Sequence, residues 1–474
     1  MTSGNEQLDI MKFLNPEKFV GKKVIVIGYG TIGKSLLPNL VAAGATVSAI
    51  LEDKKAVRET ISIYPTYETN DIREVLAKYY PDYILISTTK IDSLTMRLIS
   101  LVARESRVPI EIVPERSEIH TTFNNEVKVR GLGIADIFAR NAFNIDFIKM
   151  ERFFEGKRVL ITGAGGSIGS RIASQLSKLG VLSLALLDRD DCLLHDIAVE
   201  ISGEMFSKRF PIFLCDIQDS GRIMDIFDEF RPEIVIHAAA LKHVTTLETY
   251  PQAGMAINVL GTLNIIRAAE YYKCDCLLNI STDKAASGSN VLGLTKYIGE
   301  RMTAAATIPI RKSVRFGNVL GSRGSVLQTF EIQARIFKRL TVRGTETTRF
   351  FMTPNEAASL SLTTLTSNES SGTYVLDMDY PVKIIDLAEE VAKMSPEKVD
   401  IEITSLLSGE AKHEKLFRDN ETPESTKLNN VYRVLIPPLS KTDLERSLPN
   451  SNTVYSLKKE DCSALISYIA NDII

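Results

Sequence analysis

The sequence predicts an α/β protein with two doubly wound parallel-sheet domains and a small mixed lobe at its C-terminal end. Two segments carry this signal, one from Val24 and one from Arg158, and each runs from a β-branched stretch through a glycine-rich turn into a helical pattern. That order opens a βαβ unit, so each segment begins a Rossmann-like domain. The two glycine turns lie about one domain length apart, which indicates two domains and not a short repeat.

Length and composition agree with this organisation and exclude several classes of protein. A chain of 474 residues is long enough for two or three domains. A net charge of -3 gives no electrostatic reason to expect nucleic acid or a membrane surface. The longest apolar runs fall short of the roughly 18 residues of a spanning helix, and the five cysteines have neither zinc nor disulfide spacing. We therefore expect a cytoplasmic, metal-free protein without a membrane span.

The N-terminal domain is predicted over residues 1–123, with a linker over 124–150. Strand candidates at 46–51, 83–87 and 110–113 alternate with helical patterns, as in a small parallel sheet. The turn contains Gly28, Gly30 and Gly33, and Glu52 ends the next strand. These four residues form a second candidate nucleotide site. The alternative is a structural or regulatory domain, since nothing near the turn is typical of catalysis.

The second domain is predicted over residues 151–317, where short apolar runs between helical patterns are typical of a sheet covered on both faces. Its strand candidates are 184–188, 212–216, 234–238, 277–281 and 312–316. From Asn318 the pattern loosens. We expect a substrate-binding lobe over 318–440 and a polar tail over 441–474.

The glycine turn of the second domain predicts a dinucleotide site. Its glycines allow a tight turn, a close approach of backbone to pyrophosphate, and packing of the helix on the strand. Asp188 ends the next strand, where a carboxylate accepts hydrogen bonds from a ribose diol, and Asp216 ends the third strand near the adenine side. Arg189 and Arg171 could instead hold a 2′-phosphate, so NAD is favoured and NADP stays open. The predicted cofactor residues are Gly163, Gly165, Gly166, Ser167, Ile168, Gly169, Asp188, Arg189, Asp216, Ile217, Ala238, Ala239 and Lys296.

Residues 157–353 carry a series of motifs that resembles the extended short-chain dehydrogenase/reductases of polysaccharide biosynthesis, and among them the UDP-N-acetylglucosamine 4,6-dehydratases. The N-terminal domain is also similar to the domain that precedes the dehydratase in this family. Long members usually carry membrane helices ahead of it, so this chain looks like a soluble form. The matching motifs are KRVLITGAGGSIGS at 157–170, AALKHV at 239–244, NVLGT at 258–262, ISTDKA at 280–285, NVLG at 290–293, SVRFGNVLGSRGS at 313–325 and TRFFMT at 348–353.

The resemblance implies a reaction that oxidises C4 of a UDP-linked hexosamine, expels the C6 hydroxyl and returns hydride to C6. It assigns Lys284 as the base at C5, Asp283 as the acid at the C6 oxygen and Thr282 as a hydrogen-bond partner near the C4 oxygen. Lys296 takes the place of the lysine that binds the nicotinamide ribose. For these roles the pKa of Lys284 must be lowered and that of Asp283 raised. A solvated surface pair is the other interpretation, but side chains at a strand end point to opposite faces, which disfavours a mutual ion pair.

The resemblance also implies a substrate set and a homo-oligomer assembled through the Rossmann helices. The candidate substrate residues are Lys242, His243, Asn318, Arg323 and Arg349, of which the arginines suit diphosphate oxygens.

Three departures from the family pattern keep other functions open. Leu292 stands where these enzymes carry tyrosine or methionine, residues 286–289 differ from the usual loop, and Arg171 replaces a glutamate. One alternative is a UDP-hexosamine 4-epimerase, which normally depends on the missing tyrosine. The other is a catalytically silent nucleotide-sugar-binding protein.

Overall fold

The computed structural model divides the chain into two compact units, 1–142 and 143–474. In the part of the chain that is described, no helix is long and apolar enough to cross a membrane. The described residues are 16–61, 63–88, 91–113, 130–131, 133, 137, 146–378, 380–428, 430–439, 441–449 and 453–471.

The first unit is built on a six-stranded sheet in the order β3-β2-β1-β4-β5-β6, parallel except for β6. Its strands are β1 (Lys23–Ile27), β2 (Thr46–Leu51), β3 (Thr66–Tyr67), β4 (Tyr83–Ile86), β5 (Ile110–Ile112) and β6 (Arg130–Gly131). Its helices are α1 (Thr31–Ala42), α2 (Lys55–Arg58), α3 (Ile72–Tyr79) and α4 (Ser93–Glu105), with 3-10 turns at Pro16–Phe19 and Thr69–Asp71. The strand pairing confirms the predicted parallel sheet. The apolar residues of β1 are buried and belong to two hydrophobic clusters.

The second unit is built on a nine-stranded sheet in the order β20-β21-β17-β12-β11-β10-β7-β8-β9. The seven strands from β17 to β9 are parallel, and β21 and β20 are antiparallel additions. All five predicted strands are present, and separate hydrophobic clusters cover the two faces of the sheet. The central strands are β7 (Arg158–Thr162), β8 (Ser183–Asp188), β9 (Ile212–Leu214), β10 (Ile234–His237), β11 (Cys276–Ile280) and β12 (Ile310–Arg315).

Helices connect these strands, because parallel neighbours need a crossover connection. Several begin at side-chain caps, for example Asp190, Asp219 and Asn290. The helices of this part of the unit are α5 (Phe147–Phe154), α6 (Gly169–Leu176), α7 (Asp191–Ser202), α8 (Ser220–Phe230), α9 (Val244–Thr249), α10 (Pro251–Gly254), α11 (Thr262–Tyr271), α12 (Lys284–Ser287) and α13 (Val291–Ala305), with a π-helical segment at Met255–Gly261.

The residues after Asn318 supply small sheets as well as strands of the central sheet. The additional strands are β13 (Asn318–Val319), β14 (Arg339–Arg343), β15 (Thr348–Arg349), β16 (Phe351–Met352), β17 (Ser371–Leu376), β18 (Val382–Lys383), β19 (Asp400–Thr404), β20 (Glu424–Ser425) and β21 (Val431–Val434). The additional helices are α14 (Val326–Phe337), α15 (Pro354–Leu365), α16 (Ile384–Met394), α17 (Lys441–Ser447) and α18 (Lys459–Asn471), with a 3-10 turn at Val454–Ser456.

The segment predicted as a lobe and tail therefore contributes to the central sheet and core of the second unit. Strand β17 pairs with β12 because its apolar residues continue the buried sheet, and α18 buries Cys462, Ile466 and Ile469 against the main core. Arg301 of α13 donates to the last carbonyls of α18, at Ile469 and Ala470. Since α18 packs on α13, that helix is already covered within one chain. The predicted homo-oligomer stays a prediction, but α13 offers no free face for it.

A buried charge network lies between the sheet and the C-terminal segment. Arg315 has no exposed surface and contacts Glu300 of α13 at 2.6 Å and Glu421 at 2.7 Å. Ser281 donates a further hydrogen bond to Glu300, at 2.5 Å. Two buried carboxylates share one guanidinium, so each depends on it for compensation of its charge.

We predict that Arg315→Met lowers the free energy of unfolding by about 3–5 kcal/mol, because Glu300 and Glu421 stay buried without a cation. Denaturant unfolding of the full chain measures the change. Arg339→Met is the matched control, since its ion pair with Glu402 is exposed on both sides and should contribute less than about 1 kcal/mol. Equal effects of the two substitutions would contradict the prediction.

Candidate active site

A cavity of about 890 Å³ opens at the carboxyl ends of β7, β10 and β11. Ligands of doubly wound sheets bind at this edge. The glycine turn forms one wall, residues 280–296 form the floor, and residues of the C-terminal segment close the far side. The predicted residues that line it are Gly163, Gly166, Ser167, Ile168, Gly169, Ala238, Lys242, His243, Thr282, Lys284, Lys296, Asn318, Arg323 and Arg349.

The turn between β7 and α6 accepts only glycine at its critical positions. Gly163 has φ +67°, and a side chain there would meet the backbone of Ala239 at 2.7 Å. A Cβ on Gly165 would collide with Leu193, and one on Gly169 would collide with the carbonyl of Gly163. The turn is therefore as close to α6 and to the neighbouring loop as backbone allows. This cradle fits a pyrophosphate, which the free N–H groups at the start of α6 would bind.

Asp188 holds the turn in place. Its Oδ2 accepts a hydrogen bond from the Gly165 N–H at 2.9 Å, and its Oδ1 accepts one from the Arg189 N–H at 2.8 Å. Arg189 lies 3.6 Å from Asp216, and Arg171 lies 3.2 Å from Glu200. Arg189 and Arg171, the two arginines that could have held the 2′-phosphate of NADP, thus face carboxylates.

The other predicted cofactor residues surround the cavity without lining it. Asp216 accepts from the Gln218 N–H at 2.9 Å, and Ile217 is buried against Gly261. Ala239 packs its backbone on Gly163. Asn258, in the π-helical segment, accepts from the Leu241 N–H and so fixes the loop that carries Lys242 and His243.

The catalytic candidates lie just beyond the end of β11. Asp283 already has helical backbone angles, φ -54° and ψ -28°, and Lys284 begins α12. The expectation that their side chains point to opposite faces is therefore wrong, because the strand ends before them. Lys284 Nζ lies 3.2 Å from Asp283 Oδ1, and Thr282 Oγ1 donates to the same oxygen at 3.0 Å. Asp283 is fully buried, which excludes the solvated surface pair.

Glu414 completes this cluster, and the sequence analysis missed it. Its Oε1 lies 2.6 Å from Lys284 Nζ and 3.2 Å from Arg349 Nε, and its Oε2 accepts from Asn318 Nδ2 at 2.9 Å. Only 3% of its side chain is exposed. The motifs found in the sequence end at residue 353, so no motif pointed to Glu414.

The cluster sets the protonation states of its members. Burial and the neighbouring Glu414 raise the pKa of Asp283 to about 7. Burial by itself lowers the pKa of Lys284, but the carboxylates of Asp283 and Glu414 raise it above its ordinary value. The predicted lowering for Lys284 is thus wrong in this structure, because the lysine faces two acids. Burial opposes the ionisation of Glu414, yet Lys284 and Arg349 lower its pKa.

The remaining candidates divide between the cluster and the glycine turn. Asn318 and Arg349 hold Glu414, and Arg323 donates to the Gly165 carbonyl at 3.1 Å. Lys242 contacts Ser322 at 3.3 Å.

Two residues of α13 line the floor of the cavity. Burial lowers the pKa of Lys296 to about 8. Leu292, one turn earlier, presents no hydroxyl to the cavity.

The glycine turn of the first unit shows the same kinds of contact as the turn of the second unit. Gly28 has φ +94°, and a Cβ on Gly33 would collide with the Gly28 carbonyl, whereas Gly30 has open space around it. Glu52 accepts from the Tyr29 N–H at 2.8 Å, as Asp188 does from Gly165. The second candidate nucleotide site stays a prediction.

Comparison with known proteins extends over most of the chain. A family model described as polysaccharide biosynthesis protein matches residues 159–436. The capsular polysaccharide biosynthesis protein CapD of Staphylococcus aureus is 32% identical over 441 residues, which cover 90% of this chain and 73% of CapD. A UDP-glucose 4-epimerase of Rickettsia bellii is 30% identical over 302 residues, which cover 61% of this chain and 85% of the epimerase. Among solved structures, Pen from Bacillus thuringiensis matches with a TM-score of 0.54 and 28% identity, covering 62% of this chain and 97% of Pen.

We predict that Gly169→Ala weakens NADH binding by about 5- to 150-fold, since a steric clash with backbone costs roughly 1–3 kcal/mol. Fluorescence titration of NADH measures the dissociation constant. Gly221→Ala is the control, because its nearest neighbour would be 3.6 Å away, outside the cavity. Unchanged binding by Gly169→Ala would show that the turn is not the pyrophosphate site.

Proposed function

Because this chain belongs to the polysaccharide biosynthesis protein family, we propose that it is an NAD(P)-dependent nucleotide-sugar 4,6-dehydratase, with UDP-N-acetylglucosamine or a related UDP-hexosamine as substrate. At a coarser level it is a nucleotide-sugar-processing enzyme with a fold of the short-chain dehydrogenase/reductase type. One observation carries the finer proposal: Lys284, which pairs with the buried Asp283, lines the same cavity as the glycine turn.

The protonation of Asp283 supports an elimination. With a pKa of about 7, this carboxyl carries a proton over much of the neutral range and can donate it to the C6 oxygen of a sugar. Thr282 and Lys284 both contact its Oδ1 and so fix its orientation. A bound nicotinamide dinucleotide would accept hydride from C4 and return it at C6. Lys284 is the group proposed to move the C5 proton.

The dinucleotide proposal rests on the glycine cradle and on Lys296. Gly163, Gly165 and Gly169 leave room for pyrophosphate against the backbone, and Lys296 lies on the cavity floor, where a ribose would be held. The pairing of Arg189 and Arg171 with carboxylates supports NAD over NADP, because a 2′-phosphate would have to compete with these acids.

Epimerisation is the second candidate, and the Rickettsia relative named as a UDP-glucose 4-epimerase favours it. Leu292 argues against it, because a leucine cannot exchange a proton with the C4 hydroxyl. A silent nucleotide-sugar-binding protein is the third candidate, and the altered loop at 286–289 favours it.

One assay separates the three functions. The purified chain is incubated with UDP-N-acetylglucosamine and NAD in deuterium oxide, and the product is followed by mass spectrometry and NMR. We expect loss of one water with deuterium at C5, and Lys284→Ala should abolish this while NADH binding persists. A new hexosamine of unchanged mass would indicate an epimerase, and binding without turnover would indicate a silent protein.

We predict that kcat/KM for dehydration falls about tenfold per pH unit above the pKa of Asp283, near 7, because the acid must be protonated to donate. Asp283→Asn should lose turnover by about 10²–10⁴-fold at pH 6, where the wild-type acid is protonated, and the difference should shrink as the pH rises. Initial rates between about pH 6 and 9 measure both effects. An Asp283→Asn variant with full turnover would exclude this residue as the acid.

A further inference from the structure

An ion pair inside the cavity joins the central sheet of the second unit to the C-terminal segment. Lys284 follows β11 of the central sheet, whereas Glu414 comes from the segment between β19 and β20. Their charged atoms are 2.6 Å apart, the shortest ion contact of Lys284, and both side chains are largely buried. This contact places a carboxylate within direct proton-transfer distance of the ammonium.

Lys284 cannot remove a sugar proton while it is an ammonium, so its own proton must first go to an acceptor. Among the residues that the structure describes, three groups accept hydrogen bonds from its Nζ or pair with it: Asp283, Asn318 and Glu414. The Asn318 amide is not basic. Asp283 also accepts from Thr282 and is required as the acid at C6. Glu414 is the acceptor that remains.

We propose that Glu414 takes the proton from the Lys284 ammonium and thereby converts Lys284 into the free base that acts at the sugar. The inference deepens the proposed function and rests on it. In this step an N–H bond of Lys284 breaks and an O–H bond forms on Glu414 Oε1, so that two opposite charges become two neutral groups. Lys284 then takes the C5 proton, and the C–H electron pair moves toward the C4 ketone. Both transfers reverse when C5 is reprotonated.

The surroundings of Glu414 suit this role. Arg349 Nε at 3.2 Å and Asn318 Nδ2 at 2.9 Å hold the carboxylate in one orientation, with Oε1 toward Lys284. Lys284 and Arg349 together lower the pKa of Glu414 against the effect of its burial, so the carboxylate is ionised before the transfer. The charged or titratable groups that act on Lys284 are Asp283, Glu414 and Arg349, and Lys284 in turn acts on Lys242. Glu414 therefore acts through Lys284 and is a positioning residue.

The test isolates the C5 proton from the other steps. The 4-keto-6-deoxy product made by the wild-type chain is incubated with each variant and NAD in deuterium oxide, and C5 exchange above the spontaneous rate is followed by NMR. This exchange needs the base but neither the acid nor hydride transfer. Measurements run from about pH 8 to 9.5, where Asp283, with its pKa about 7, is ionised in the wild type. Asp283 is also ionised in the Glu414→Gln variant, because the charge of Glu414 is one of the causes that raise the pKa of Asp283 and the variant lacks it.

We expect Glu414→Gln to exchange about 10²-fold more slowly than the wild type at pH 8. Its rate should then rise about tenfold per pH unit, because solvent must remove the Lys284 proton. The wild-type rate should stay nearly constant, since proton transfer within the pair does not depend on pH. Glu414→Asp retains a carboxylate and should give an intermediate rate without the slope. Asp419→Asn is the matched control, a carboxylate of the same segment that is 89% exposed, and should behave as the wild type does.

The outcomes distinguish this inference from the function on which it rests. A wild-type chain that forms no keto sugar overturns the proposed dehydratase, and the inference with it. A wild-type chain that forms the sugar, together with Glu414→Gln exchange that is unchanged or is reduced without the pH slope, overturns the inference alone. NADH titration of each variant reports whether it is folded. If Glu414→Gln does not fold, Glu414→Asp decides: a rate equal to that of Lys284→Ala would contradict the proposal.

Discussion

The constraint on which the site depends is the burial of Asp283, Lys284, Glu414 and Arg349 in one cluster. Removing charges from water costs several kcal/mol for each ion, and the cost is recovered only if each charge meets a partner in good geometry. In this cluster Glu414 contacts both cations, and burial beside Glu414 raises the pKa of Asp283 to about 7, so that a second buried negative charge forms less readily. The raised pKa of the acid is thus a consequence of how the cluster balances its charge.

A second buried network lies beside the first and helps to hold the candidate catalytic residues in place. Ser281 precedes Thr282 directly in the chain and donates to Glu300, which pairs with Arg315. Glu300 is one helical turn after Lys296 on α13, so the same carboxylate anchors the strand end and the cavity floor. Because Arg315 also pairs with Glu421, seven residues beyond Glu414, the segment that delivers Glu414 is fixed at a second point. The two networks together hold the sheet, α13 and the C-terminal segment in register around the cavity.

The glycine turn imposes a different constraint, which is steric. Its backbone approaches Leu193, Ala239 and its own first residue so closely that no side chain fits. Both carboxylate oxygens of Asp188 accept hydrogen bonds from backbone N–H groups, of the turn and of residues 189–190. A carboxylate at this strand end thus shapes the turn before it meets any ligand, and Glu52 does the same in the first unit.

The sequence by itself determined the two parallel sheets and the glycine turns, and it named Thr282, Asp283, Lys284 and Lys296 as candidates, because periodicity, turn chemistry and motif order are local in the chain. It did not determine the side-chain directions at 283–284, since the end of β11 depends on packing and not on the local pattern. Nor could it identify Glu414, which is 130 positions after Lys284 in the numbering and reaches it only through the fold. The protonation of Lys284 was likewise decided by the tertiary structure, because a pKa depends on charges within a few ångströms, and those charges come from segments that are distant in the chain.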